Sequence, residues 1–140
     1  MQATIFYVDD DPDDRSFFQE ATEGLTDEVH LFDESEVLLQ AIKNPPPSPN
    51  ILFVDLNMPH LSGFEILREI KQSEQYKSLP VVVYSTAGDN ITIDKCRALG
   101  ANLFITKPTS MTALRKAIRF VLDIDWNNFS PTRTTFLYKG

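Results

Sequence analysis

A chain of 140 residues, 42% hydrophobic and 24% charged, has the size and composition of one soluble globular domain. Thirteen basic against twenty acidic side chains leave a formal charge of −7, which argues against nucleic acid as a direct partner, because phosphate binding needs a basic face. The one cysteine, Cys96, excludes an internal disulfide and suits a small buried residue in a reducing compartment.

Short β-like runs alternate with helical patterns five times along the chain. Thr4-Ile5-Phe6-Tyr7-Val8 reads as a first strand. Pro12 suits the first turn of the helix that follows, with Asp11 as its N-cap and Phe18, Ala21 and Leu25 at helical spacing. Val29-His30-Leu31-Phe32 is a second strand, and Val37, Leu38 and Ala41 mark a short second helix. The segment Asn44 to Asn50 holds four prolines and reads as a stiff connector. Ile51-Leu52-Phe53-Val54 is apolar at every position, as a strand buried on both faces should be. Ser62 to Glu74 gives a third helix with Phe64, Leu67 and Ile70 inward. Val81-Val82-Val83-Tyr84 is the fourth strand, and Ile91 to Leu99 a weaker fourth helix stopped by Gly100. Leu103-Phe104-Ile105 is the fifth strand, and Met111, Leu114, Ile118, Val121 and Leu122 form the stripe of a fifth helix.

Five strand–helix units with buried strands predict an α/β, doubly wound, flavodoxin-like sheet of order 2-1-3-4-5, with helices on both faces. No apolar run approaches the roughly 18 residues of a membrane span, and Met1-Gln2-Ala3-Thr4 has no basic leader, so no membrane partner and a cytoplasmic location are expected. Residues 1–122 read as one domain. Residues 123–140 read as a tail with several aromatics, either folded back on the domain or serving as a docking or homodimer segment.

In such a sheet, ligands bind beyond the carboxyl ends of the strands, beside the point where strand order reverses. Asp9 and Asp10 end the first strand, Asp55 the third, Ser85 and Thr86 the fourth, and Lys107 the fifth. Three carboxylates, a hydroxyl and an ammonium therefore converge on one edge. Carboxylates so close repel one another and call for a hard divalent cation, Mg²⁺ or Mn²⁺, with oxygen ligands. Asp55 is then free to act as a nucleophile that forms an aspartyl-phosphate, with Lys107 and Ser85 each engaging a phosphoryl oxygen. The histidines, His30 and His60, lie apart and lack partner spacing.

Four stretches, Val8-Asp9-Asp10-Asp11-Pro12, Val54 to Pro59 with Ser62-Gly63, Ser85-Thr86-Ala87, and Leu99 to Asn102 leading to Ile105-Thr106-Lys107-Pro108, occur in order. Together they make the chain resemble the bacterial response-regulator receiver family over about residues 3–122. The resemblance implies that Asp55 is the phosphoacceptor and a metal ligand. It implies that Asp10 binds the metal directly, that Asp9 acts mostly through water, and that Asn57 offers its backbone carbonyl. Ser85 matches the switch hydroxyl, Thr86 the small position after it, and Phe104 the switch aromatic. Lys107 matches the phosphate-pairing lysine, and Pro108 follows it across a bond that is cis in the family. Phe104 lacks the hydroxyl of the tyrosine often found there, and Thr86 is larger than the usual alanine or glycine.

The implied protein is a stand-alone response regulator of a two-component phosphorelay rather than a conventional enzyme, though it promotes its own phosphorylation and dephosphorylation. A sensor histidine kinase or histidine phosphotransfer protein donates the phosphoryl group, and a downstream target protein reads the changed surface. Two other readings stand beside it. One is an aspartyl-phosphate phosphatase or phosphotransferase, which would place an acidic residue where Asn57 stands. The other is a pseudo-receiver that binds partners without being phosphorylated.

Overall fold

The computed structural model describes residues 3–43 and 49–140; most of the expected proline-rich connector, at 44–48, lies outside the described residues. Five strands, β1 (Thr4–Val8), β2 (Glu28–Phe32), β3 (Ile51–Val54), β4 (Val81–Ser85) and β5 (Leu103–Thr106), alternate with five helices. The helices are α1 (Pro12–Thr22), α2 (Ser35–Lys43), α3 (Gly63–Gln72), α4 (Asn90–Ala98) and α5 (Met111–Asp123). The strands pair in parallel in the order β2-β1-β3-β4-β5, as expected for a flavodoxin-like sheet.

β1, β3 and β4 are buried at every position, so both faces of the central sheet must be covered. On one face Phe6, Leu52, Val54, Val83 and Phe104 pack with Leu38 and Ile42 of α2, Leu67 and Ile70 of α3 and Cys96 of α4. On the other, Ile5, Tyr7, Phe53, Tyr84 and Ile105 pack with Phe18 of α1 and Leu114, Ile118 and Val121 of α5. Cys96 is wholly buried, and burial pushes its thiol up to about 12, which fits a packing residue.

Two apolar helix residues face solvent. In α2, Val37 is 48% exposed, whereas Leu38, Leu39 and Ile42 are buried. Three apolar residues in succession leave the phase of a nine-residue helix open, and only the sheet beneath decides which of them turns in. In α4, which starts one residue earlier than expected, Ile91 is 82% exposed.

Helix starts are fixed by side chains that take orphan amides. The Asp11 side chain accepts from the amides of Asp13 (2.9 Å) and Asp14 (3.4 Å), and Pro12 opens α1. Ser62 and Glu65 form a reciprocal capping box at α3, so the third helix begins after Ser62 and ends at Gln72 rather than Glu74. The Gly63 amide donates to the Leu56 carbonyl at 3.1 Å, which draws the start of α3 against the loop after β3. No side chain fits in that approach: a Cβ on Gly63 would stand 2.2 Å from the Asp55 carbonyl oxygen and 2.8 Å from Leu56 Cα.

Because backbone rather than a flexible side chain is struck, Gly63→Ala must displace the Asp55 loop. We expect it to cost about 2 kcal/mol or more in urea unfolding. A variant as stable as the parent would show that the contact between α3 and the loop is softer than its geometry.

Candidate functional site

The sheet ladder continues one residue past several strand ends and so aims the polar side chains. The Asp9 amide donates to the Phe32 carbonyl (3.0 Å), the Asp55 amide to the Val8 carbonyl (3.2 Å), and the Lys107 amide to the Ser85 carbonyl (3.0 Å). Neighbouring strands thus hold the first residue beyond each end in register, and the three side chains meet above the edge.

Asp9, Asp10 and Asp55 each present a carboxylate oxygen within 4.8 Å of the others. Asp9 and Asp55 are buried, and Asp10 is exposed. The Lys107 side chain, 10% exposed, reaches into this group. Its Nζ donates to Asp9 Oδ2 (2.8 Å) and Asp14 Oδ2 (2.7 Å), and lies 3.6 Å from Asp55 Oδ2. Burial alone would lower the Lys107 pKa. Its hydrogen bonds to Asp14 and Asp9 overcome that and hold the ammonium above its ordinary value.

Asp55 moves the opposite way from a typical salt-bridged carboxylate. Burial pushes it up to about 6, with Asp9 adding to the rise, while Lys107 and the backbone amides of Leu56 and Asn57 pull it down. The Leu56 amide donates to Asp55 Oδ1 at 2.9 Å. Ser85 is wholly buried, and its Oγ accepts from the Ala87 amide at 3.2 Å. Asn57 and Thr86 are exposed on the loops beside it, and Pro108 is half-buried just past Lys107. Phe104 is buried within β5 and packs against Phe136. His30 is on β2, and His60 is on the loop before α3 with a left-handed φ of 68°.

Three residues belong to this site that the sequence reading passed over. The Tyr7 hydroxyl donates to Asp9 Oδ2 within the buried layer. Burial, then this bond, hold the phenol far above its ordinary range. Tyr7 and Asp9 are two apart, hence on one face of the extended chain, and that spacing was the available signal. Asp14 lies in the first turn of α1 and shares Lys107 with Asp9. Arg15 Nη1 donates to the Asp9 carbonyl at 2.8 Å.

A family model described as "Response regulator receiver domain" matches residues 5–119. The chain belongs to the response-regulator receiver family. The response regulator Rcp1 of Synechocystis sp. (strain ATCC 27184 / PCC 6803 / Kazusa) is 36% identical over 73 residues, 52% of this chain and 50% of that protein. The protein-glutamate methylesterase/protein-glutamine glutaminase of Trichodesmium erythraeum is 39% identical over 82 residues, 56% of this chain but 22% of that protein. The chain therefore spans half or less of these curated relatives. Among solved structures, the phosphorylated cyanobacterial phytochrome response regulator RcpA superposes with a TM-score of 0.78 at 26% identity, covering 93% of this chain and 97% of that one.

Two outcomes test the electrostatics. The folded Asp55 carboxyl keeps its proton to about pH 6, whereas an unfolded one releases it near 3.8. Between those values the folded state binds more protons, so Asp55 makes stability fall as pH rises through the window. In the presence of a chelator, Asp55→Asn should abolish this fall and raise stability at pH 7 by about 2 kcal/mol. Denaturant unfolding of both proteins from pH 4 to pH 7 would read it, and a parent no less stable than the variant at pH 7 would contradict it. Tyr7→Phe leaves the Asp9 carboxylate one donor short in a buried place. The expected loss is about 1–3 kcal/mol in the same assay, and a neutral substitution would show that the hydroxyl is dispensable.

Proposed function

We propose that this receiver domain takes a phosphoryl group on Asp55, in a reaction that needs a divalent cation, and changes its protein-binding surface as a result. The observation that carries the reading is the placement of one ammonium, Lys107, within 3.6 Å of Asp55 while it is also bonded to Asp9 and Asp14. A lysine so placed can follow negative charge as it arrives at Asp55 without crossing open solvent.

The donor set suits a hard cation, since three carboxylate oxygens from Asp9, Asp10 and Asp55 converge and their mutual repulsion needs relief. Asp10 and Asp55 would hold Mg²⁺ or Mn²⁺ directly, Asp9 through water, and Asn57 through its carbonyl. A bound cation neutralises carboxylate charge and polarises phosphoryl oxygens.

In the reaction, a carboxylate oxygen of Asp55 forms the O–P bond as the P–N bond of a phosphohistidine donor breaks. The leaving imidazole nitrogen keeps the bonding pair and takes up a proton. Lys107 balances the charge that gathers on the phosphoryl oxygens. Ser85 supplies a hydroxyl to another, and the exposed Thr86 governs the approach of the water that later hydrolyses the acyl phosphate. Tyr7 and Arg15 keep Asp9 in place.

A sensor histidine kinase or histidine phosphotransfer protein would supply the group. Residues 1–122 are the receiver body, with 123–140 appended to it, and the output passes to a separate target protein. The protein is a switch that accelerates its own phosphorylation and hydrolysis, not a catalyst for outside substrates. Among the described residues no helix is long and apolar enough to cross a membrane, and we place the protein in the cytoplasm.

Incubation with acetyl phosphate and Mg²⁺ should add one phosphoryl group by intact mass, and peptide mapping should find it on Asp55. Asp55→Asn should take up none. Lys107→Ala should still bind Mg²⁺ yet give an acyl phosphate whose formation no longer alters the surface. An unlabelled parent, or label on another residue, would sink the reading.

A further inference from the structure

After α5 the chain returns to the sheet. The Phe104 amide donates to the Phe136 carbonyl at 2.9 Å, the Tyr138 amide donates to the Phe104 carbonyl at 2.9 Å, and Phe104 and Leu137 form a parallel bridge. β5 is the edge strand of the sheet, so these are backbone groups that an edge would otherwise leave to solvent or to another chain. Two aromatics hold the segment from opposite faces. Phe136, 1% exposed, enters the cluster that contains Phe104, at 6.4 Å between ring centroids. Tyr138 packs on Phe120 of α5 at 5.0 Å.

The same short strand carries this contact at Phe104 and leads directly into Lys107. The ammonium that must turn toward a phosphorylated Asp55 is thus three residues from the backbone that holds the segment in place.

We propose that residues 136–138 are the resident occupant of a strand-docking edge on β5, that phosphorylation of Asp55 loosens them, and that the vacated edge takes an extended partner segment bearing an aromatic residue. The inference rests on Asp55 being the phosphoacceptor. Phosphorylation replaces the single charge of the Asp55 carboxylate with a phosphoryl group that carries about −1.5 to −2 on three oxygens, and these compete with Asp9 and Asp14 for Lys107. Drawing Lys107 toward it shifts the end of β5 against a clamp fixed at Phe104. Such coupling is reciprocal, so whatever lifts the segment also favours the phosphorylated state.

The segment itself indicates what can replace it. An edge bonds any extended backbone, and selectivity comes from the side-chain sockets along it. Here the socket filled by Phe136 is apolar and closed. On the Tyr138 side, Lys116, Arg119, Phe120 and Asp123 of α5 line, together with the segment itself, an open groove of about 520 Å³. These α5 residues stay when the segment leaves, two cations against one carboxylate, so the favoured partner sequence carries acidic residues as well as its aromatic one.

Amide hydrogen exchange on the full chain, with and without acetyl phosphate and Mg²⁺, tests the gate, with intact mass followed in the same samples. Phosphorylation should speed exchange at the Phe104 and Tyr138 amides by about tenfold. Unchanged exchange in protein that carries the phosphoryl group on Asp55 overturns the gate and leaves the phosphoacceptor reading standing. No adduct on Asp55 overturns both. For the docking edge, a fluorescent peptide with the sequence of residues 132–140 serves as the probe. It should bind full-length Phe136→Ala, or Tyr138→Pro, which deletes one ladder amide and keeps Phe136, about tenfold more tightly than the parent. Equal binding to parent and variants, or equal binding by a peptide with alanine in the Phe136 place, overturns the docking edge.

Discussion

The structure is organised around one ammonium group. Lys107 is the only cation that the described ion pairs bring among Asp9, Asp14 and Asp55, and it is largely buried. A lone lysine buried to that extent would shed its proton, and a cluster of acids so close would take protons up. Each therefore depends on the other for its charge. The division is uneven: Lys107 sits closer to Asp9 and Asp14 than to Asp55, and Asp55 is the carboxylate left under-compensated, held up to about 6. An under-compensated carboxylate at the rim of a sheet is where an added cation gains most, and where an arriving phosphoryl group meets an acceptor not already locked in a tight ion pair.

That arrangement comes from the sheet rather than from the loops. Asp9, Asp55 and Lys107 are each the first residue beyond a strand, and each amide is caught by a carbonyl of the adjacent strand. Strand order 2-1-3-4-5 makes β1 and β3 neighbours, which brings residues 46 positions apart in sequence into one acidic group. The Asp55 loop is then pressed by the start of α3 at Gly63, where no Cβ fits. A site that must hold like charges together needs such stiffness, because a free loop would relieve the repulsion by moving away.

Much of this was legible before any coordinates. Continuous apolar runs at Ile51–Val54 and Val81–Tyr84 can only be strands covered on both faces, and alternation with helices leaves the parallel sheet as the economical solution. Polar residues at the ends of those runs then fall on one edge. Legibility stopped where a residue had two lawful readings. Tyr7 reads equally as core aromatic and as hydroxyl donor, and only its partner Asp9 decides. Asp14 follows Asp9, Asp10, Asp11 and Asp13 within six positions, and nothing local says that α1 brings its first turn over Lys107. In α2, Val37 faces solvent while Leu38 and Leu39 turn in, and contiguous apolar residues do not fix that phase in a short helix. For residues 123–140 the aromatics could be listed and β5 placed at the edge, but nothing in their spacing says which of them returns to that edge.

The segment after α5 also bears on Phe104. A tyrosine at that position would have a hydroxyl with which to choose between inward and outward settings. Phe104 has none, and its ring is closed in against Phe136. Its side chain therefore has no polar anchor with which to register a change at Ser85 or Lys107. Its backbone does: the amide and carbonyl of Phe104 are both bonded to the segment, and β5 runs from there straight to Lys107. On the proposed reading, a change at the acidic edge would reach the surface more through the backbone ladder of β5 than through the swing of an aromatic ring.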